Sequence, residues 1–481
     1  MGEPRLAAGV AETWTAIGQV TCAHFVMLRD VAILDDDVAA ALLGAVDAVV
    51  PGPPIDVTTL SGLIAAFDPR VDALTPPAVV GAGAVGRGRP EMVATTLRLI
   101  IRASLLRLGA AANLVRDALI VLAGDHVFSL MPAFADGHAV AVTTLGHYLG
   151  ASIAPLARTA PRLRLTYQTV NRSPMGAVVL ASSGLPVDRE RIAELLGFER
   201  PIAHTLDATA AVDELVDAAE TSAAVASILQ RFLDDLLGWL RAEPGTFRLG
   251  EGWLAGEVDP AVPEFRPPIG VARLAAEAMR LEDEAGAIVQ TARRAPLGPA
   301  TTLLDVLEGP LRRLLDETAE IAGQVARLAG SIEVNRAYLA NRAGRDHTTS
   351  GELTDFLMAE EELSPDAART ITSMTVRRAR EQGLEASALS PDLIDASALL
   401  VIGRELKVEA EAVGRYLAPR RVLERRTATG SPSPVATRAF LGAERAHLDD
   451  DRRWLATETA RLEESASMLS RATAEIVEAA R

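Results

Sequence analysis

From Glu91 to Ala123 apolar residues return at the helical period almost without a break: Leu97, Ile101, Leu105, Leu108, Leu114, Ala118 and Val121. Such a run predicts one long helix. The same period predicts further helices over 142–169, 208–241, 270–291 and 303–328, and two shorter ones within 5–48. Helices of about 25 to 30 residues are longer than globular helices usually run, so they favour a bundle packed side by side along its whole length. A single copy of such a bundle would leave a large apolar face in water, which favours association.

Between the helices, 51–90 is rich in Pro and Gly and is expected as a loop, and Met131-Pro132 as a turn. The small residues from Ala177 to Gly184 would let another backbone approach closely, and Asp188 stands where an N-cap would accept orphan N–H groups. In the tail, Leu441, Leu448, Leu455, Leu462, Leu469 and Ile476 repeat every seven residues, with small or polar companions at Arg452, Thr459, Ala466 and Thr473. Such a stripe predicts a long helix docked on the protein's own bundle or on a twin subunit, in preference to a foreign partner.

Composition sharpens this picture. Of the 481 residues 49% are hydrophobic and only 4% aromatic, with Ala and Leu dominant, which favours helix over strand. The expected fold is all-α, with an N-terminal helical domain (1–90), a central long-helix bundle (91–335), a small C-terminal helical domain (336–430) and a tail ending in the heptad helix (431–481). The net charge of −16 speaks against a nucleic-acid partner, which needs a basic face. Lys407 is the single lysine and Cys22 the single cysteine; the latter excludes an intramolecular disulfide and reads as a buried thiol.

No run is apolar enough for a membrane span or a signal segment, so a cytoplasmic location is expected. GAGAVGRG at 81–88 looks like a dinucleotide loop only superficially, because no strand precedes it and no βαβ unit encloses it. The seven histidines form no helical zinc pair, and no cofactor is expected.

The segment VNRSPMGAVVLASSGLPVDRERIAELLGF, residues 170–198, carries Asn171, Ser173-Pro174, Gly176, Asp188-Arg189-Glu190, Ala193 and Leu196-Gly197-Phe198. These residues resemble the argininosuccinate lyases of the aspartase/fumarase superfamily, which write V-N-x-S-P-L-G and then I-D-R-E-x-x-A-x-x-L-G-F. Further echoes are Ala23-His24 with Met27-Leu28, the motif GAGAVGRGRPEMVATTLRL at 81–99, the 350–357 segment SGELTDFL and RTATGSPSPVATR at 426–438. The resemblance covers roughly 20–440. It implies a three-domain aspartase/fumarase-like fold, a homotetramer built on the central bundle, and elimination from a carboxylate-bearing small molecule.

That chemistry needs groups that hold carboxylates, a base for the proton beta to the leaving nitrogen, and stabilisation of the developing aci-carboxylate. At the first station the resemblance points to Arg87 and Arg89 as carboxylate binders, Arg being suited to bidentate contact. The second station reads MPAFADGHAVAVTTLGH, residues 131–147. Its frame survives in Met131-Pro132, Thr144 and His147, while Ala135-Asp136 stand for the family's Thr-His pair and His138 for its first Gln.

The third station, EVDPAVPEFRPP at 257–268, lacks the family's catalytic serine, and no serine occurs between Ser227 and Ser331. The fourth, PATTLLDVL at 299–307, replaces a polar grip with apolar residues. Ordinary argininosuccinate cleavage is therefore not expected. New polar residues stand in the emptied stations: Glu91, Asp136, His138, His204, Asp259, Glu264 and Arg266.

Two readings compete. In a repurposed enzyme, Asp136, His138 or His147 moves the proton, since a His near a carboxylate titrates near neutrality, and Arg87, Arg89, Thr144, Asn171 and Ser173 hold the acid. In a catalytically silent homologue, the fold survives as an oligomeric scaffold or as partner of an active lyase. The retained arginines and pocket-forming turn tilt the balance toward the enzyme.

Overall fold

The computed structural model describes residues 2–54, 57–255, 266–386 and 389–480, with the side chains of 2–8 excepted. Its chain order is α1 (Gly2–Asp30), α2 (Asp36–Val49), α3 (Leu60–Asp72), α4 (Arg89–Asp125), β1 (Leu130–Ala135), β2 (His138–Thr144), α5 (Leu145–Val170), β3 (Arg172–Ser173), α6 (Arg189–Leu195), β4 (Arg200–Pro201), α7 (Thr205–Ala210) and α8 (Asp213–Ala242). There follow β5 (Phe247–Arg248), α9 (Ile269–Ala292), α10 (Thr301–Ser331), β6 (Glu333–Val334) and the short helices α11 (Arg336–Ala343), α12 (Ser350–Ala359), α13 (Pro365–Glu381), α14 (Pro391–Ile402), α15 (Ala410–Leu417) and α16 (Pro419–Arg425). The chain ends in α17 (Pro434–Ala479).

The expected all-α fold with its long central helices is what forms. Helices α4, α5, α8, α9 and α10 pack side by side, α4 against α5 and α10, and α8 against α5 and α9. Two sequence expectations change. Residues 51–90 hold α3, whose Phe67 packs edge-on against Trp14 with ring centroids 4.7 Å apart. Met131-Pro132 is not a turn but part of β1, antiparallel to β2 in the register Leu130↔Thr144 to Ala135↔His138. The helix expected from 142 starts instead at Leu145, because Thr144 caps it by accepting from the His147 N–H at 3.2 Å.

The bundle has two ends, and the functional stations divide between them. At one end lie the start of α4, the end of α5 and the starts of α8 and α10. There Arg98 donates to the Thr169 carbonyl at 2.8 Å, and Ala300 N donates to the Thr209 carbonyl at 2.9 Å. At the other end lie the finish of α4, the β1–β2 hairpin and the finish of α8. There Trp239 Nε1 donates to the Tyr148 hydroxyl at 3.1 Å, and Phe134 packs edge-on against Trp239. Helix α4 spans both ends with 37 residues, so they stand roughly 54 Å apart at 1.5 Å per residue.

The small helices α12–α15 enclose an apolar core of their own around Leu353, Phe356, Ile371, Ile394 and Val413. Helix α17 docks on the chain's own bundle, against α4, α5, α2, α1 and α6. Its heptad leucines are only one of two buried stripes. Three residues on from them run Glu444, Asp451 and Ser465, also buried. Asp451 takes ion pairs from Arg116 of α4 and Arg164 of α5, and Arg452 reaches Asp117 at 2.8 Å. Polar contacts therefore fix this helix's register as much as its leucines do.

Among the described residues no helix is long and apolar enough to cross a membrane. Cys22 lies half-buried in the interior, where burial pushes its thiol up to about 12.

Candidate functional site

At the arginine end, a turn from Val85 to Gly88 leads into α4. His24 of α1 donates from Nε2 to the Val85 carbonyl at 2.9 Å, which pins the turn's start. Burial, reinforced by the neighbouring Arg87 charge, lowers the His24 pKa to about 3, so the ring stays neutral. Arg87 turns inward: its guanidinium pairs with Asp68 at 2.7 Å and lies 5.5 Å from the centre of the Phe25 ring. Arg89, the first residue of α4, is exposed, and among the described residues it has neither ion pair nor hydrogen bond. Of the two arginines it is the one left open to solvent.

Three residues into the helix Glu91 is fully buried, its oxygens accepting from Gly88 N at 2.8 Å and Val178 N at 2.7 Å. Gly88 is required here: a Cβ at this position would stand 2.6 Å from the Val178 carbonyl oxygen. The close backbone approach read from the small-residue run is therefore real, although Leu180–Ser182 and Gly184 are exposed.

Asp188 caps α6 as expected, accepting from Arg191 N at 2.9 Å. Asn171 is buried and accepts from Arg102 at 2.9 Å, holding the end of α5. Ser173 is fully buried, with its main chain paired to Pro201 and its hydroxyl without a partner among the described residues.

At the hairpin end, Asp136 and Gly137 form the two-residue turn with φ values of 49° and 76°. Positive φ at both central positions makes this a type I′ turn, whose twist suits the strands it joins. His138 follows at once, exposed, with Nδ1 2.9 Å from the Asp136 carbonyl. That contact assigns the Nδ1–H tautomer and leaves Nε2 as the basic nitrogen. The Asp136 carboxylate is exposed beside it.

Thr144 and His147 serve the scaffold. Thr144 is buried at the cap of α5. His147 bridges the Thr143 hydroxyl, at 2.9 Å, and the Gly430 carbonyl, at 3.1 Å, thereby tying the start of α5 to the stretch before α17. Arg426 joins the same tie through the Val142 carbonyl at 3.1 Å and Glu352 at 2.8 Å.

Thus the structure brings Arg89, Arg87, Asn171 and Ser173 to one end, and Asp136, His138, Thr144 and His147 to the other. Asp259, Glu264 and Phe265 lie outside the described residues, and Arg266 pairs with Glu251. At the fourth station Asp305 faces inward, accepting from Ser61 N at 2.7 Å. The signal that sequence reading passed over was the Asp136-Gly137 pair between alternating apolar residues, a hairpin signature. Among the described residues no group of three or more His, Cys, Asp and Glu side chains is placed to hold a metal.

Comparison with known proteins agrees with this architecture. The family profile described as lyase matches residues 77–251. An argininosuccinate lyase of Methanoculleus marisnigri is 28% identical over 77% of this chain and 74% of its own length. Argininosuccinate lyase 2 of Agrobacterium fabrum is 27% identical over 89% and 85% respectively. Among solved structures, EDDS lyase in complex with formate superposes with a TM-score of 0.85 at 24% identity, covering 100% of this chain and 95% of that one. Class II fumarase from Schistosoma mansoni superposes with a TM-score of 0.68 at 12% identity, covering 85% and 90%.

The fold is aspartase/fumarase-like, and the sequence matches are to lyases. In sequence the chain is similar to argininosuccinate lyases, the resemblance its motifs carry.

Proposed function

We propose that this chain is a carbon–nitrogen lyase acting on a carboxylate-bearing small molecule other than argininosuccinate, in a homotetramer whose sites each draw on more than one copy. The observation that carries this reading is the placement of two exposed residues, Arg89 and His138, at opposite ends of α4. One chain cannot bring them to one substrate, but neighbours packed antiparallel along the bundle can. Leu114 and Val121, 53% and 52% exposed on one side of α4, together with Leu165 of α5, supply apolar surface for such packing.

In the proposed reaction Arg89 holds a carboxylate through a bidentate contact. His138 Nε2 takes the proton from the carbon beta to the leaving nitrogen. The C–H electron pair becomes the new carbon–carbon double bond, the C–N pair departs with the nitrogen, which leaves from its ammonium form as the neutral amine, and the aci-carboxylate formed on the way is stabilised at the arginine. Run backwards, the same groups add an amine across the double bond of an unsaturated dicarboxylate. Related solved structures hold carboxylates, fumarate on an EDDS lyase variant and formate on EDDS lyase itself.

Complementation tests both halves together. Purified Arg89→Ala and His138→Ala variants would be screened for fumarate release from N-succinyl amines and amino acids, then dissociated, mixed and reassembled. Activity is expected from the unsubstituted chain, from neither variant alone, and again from the mixture. Absence of fumarate from every compound with the unsubstituted chain would overturn the lyase reading, and a mixture as inactive as its parents would overturn shared sites.

A further inference from the structure

Glu91 lies between two segments that sequence order separates widely, the Val85–Gly88 turn and the loop from Pro174 to Gly184. Its two carboxylate oxygens are divided between them. One accepts from Gly88 N, the residue between the two arginines, at 2.8 Å; the other accepts from Val178 N at 2.7 Å. The loop is held in an unfavourable shape. Val178, a β-branched residue, has φ 60°, and Ser182 has φ 63°. A β-branched residue adopts this conformation only where its surroundings impose it.

Other contacts close the loop on itself and tie it to α6 without joining it to the turn. The Ser182 hydroxyl donates to the Gly176 carbonyl at 2.9 Å, and Arg189 Nε donates to the Met175 carbonyl at 3.0 Å. The charged and titratable groups around Glu91 are few. Arg189 of α6 is the cation nearest in effect, Arg87 of the turn is committed to Asp68, and His24 of α1 is neutral.

We propose that Glu91 is a positioning residue for carboxylate binding: by clasping Gly88 N and Val178 N together it locks the arginine turn against the Pro174–Gly184 loop and so fixes where Arg89 is presented. This rests on the reading of Arg89 as the carboxylate anchor. The clasp requires an acceptor on both oxygens, and a carboxylate supplies two whereas a carboxamide supplies one. In an isosteric Glu91→Gln variant one side-chain N–H would face a backbone N–H, releasing either the turn or the loop. Burial raises the Glu91 pKa to about 7, with the backbone N–H groups and Arg189 opposing the rise. The clasp is therefore complete above neutrality and loses its second acceptor as pH falls.

The test is fumarate binding by calorimetry at pH 6 and pH 8, with the unsubstituted chain and Glu91→Gln in parallel, alongside hydrogen exchange of the 85–91 and 174–184 segments. The unsubstituted chain is expected to bind fumarate about tenfold more weakly at pH 6 than at pH 8. Glu91→Gln is expected to bind weakly at both, with faster exchange in one or both segments. Protonation of a histidine at the site would shift affinity in the opposite direction, strengthening binding at pH 6.

If Glu91→Gln bound fumarate as tightly as the unsubstituted chain at pH 8, the proposal would be overturned and the reading of Arg89 left standing. Should the variant not fold, unchanged exchange at Gly88 and Val178 of the unsubstituted chain between the two pH values, after correction for intrinsic rates, would overturn it instead. Failure of the unsubstituted chain to bind fumarate at either pH, with Arg89→Ala indistinguishable from it, would overturn the reading on which the proposal rests.

Discussion

Arg98 of α4 and Glu214 of α8 form an ion pair at 3.0 Å in which neither side chain is more than 3% exposed. Burial raises the Glu214 pKa from 4.5 to about 7, with Arg98 opposing the rise. The folded chain therefore holds this proton more tightly than the unfolded chain does, and the group's contribution to stability falls as pH climbs through that window. Arg98→Ala removes the partner of a carboxylate that must be charged above neutrality. A loss of about 3 to 5 kcal/mol is expected at pH 8, and a distinctly smaller one at pH 5, where the carboxyl is protonated in the folded chain. Urea unfolding at the two pH values measures the difference, and equal losses would contradict the assignment.

Asp451 makes a comparable demand from α17. It is the ion-pair partner of Arg116, whose side chain is 1% exposed, and also of Arg164. Asp451→Ala leaves the buried Arg116 guanidinium with only the more distant Glu444, at 3.9 Å, and is expected to cost about 3 kcal/mol. Leu455→Ala, at a less buried position of the heptad stripe, should cost less than Asp451→Ala. Thermal unfolding of the two variants ranks them, and the reverse order would show that the leucine stripe dominates docking.

The hairpin tip separates geometry from chemistry. Asn accepts positive φ at least as readily as Asp, so Asp136→Asn keeps the turn while removing the charge. Asp136→Val opposes the turn's backbone and should lower stability. His138→Ala, at an exposed position, should leave stability within about 0.5 kcal/mol and lower kcat about 10²- to 10⁴-fold once a substrate is in hand. Steady-state kinetics with thermal unfolding on the three variants tests this, and a His138→Ala enzyme at full rate would remove the histidine from the mechanism.

Charging the side of α4 tests the assembly. Leu114→Glu with Val121→Glu places two carboxylates on surface that is half-exposed in the single chain. Light scattering should show smaller particles than the unsubstituted chain forms, with circular dichroism unchanged and activity lost. A variant whose particles keep the size of the unsubstituted assembly would move the interface elsewhere.

How far the sequence was legible depended on how local each signal was. The period over Glu91–Ala123 foretold α4 because a buried helix repeats its apolar face regardless of neighbours. Asp188 foretold its cap because capping is settled within three residues. The β1–β2 hairpin was passed over because six or seven residues of apolar alternation beside a Pro resemble a loop followed by a helix, and only Asp136-Gly137 distinguishes them. The acidic stripe on α17 was hidden because Glu444 and Asp451 read as solvated until Arg116 and Arg164, some 290 to 330 positions earlier, are brought beside them. For the candidate site, motif frame located Arg87 and Arg89 equally well. It could not show that Asp68 claims the first and leaves the second open, because that choice is made by tertiary packing.

The length of α4 has a consequence for how such an enzyme would behave at low abundance. Under the proposed shared sites, a chain whose arginine turn and hairpin tip lie some 54 Å apart would own two half-sites and no whole one. Its specific activity would then be a function of its own concentration, vanishing on dilution below the dissociation constant of the assembly even though every molecule stays folded. Expression level, and any ligand bridging two copies, would set catalytic output as directly as substrate supply does.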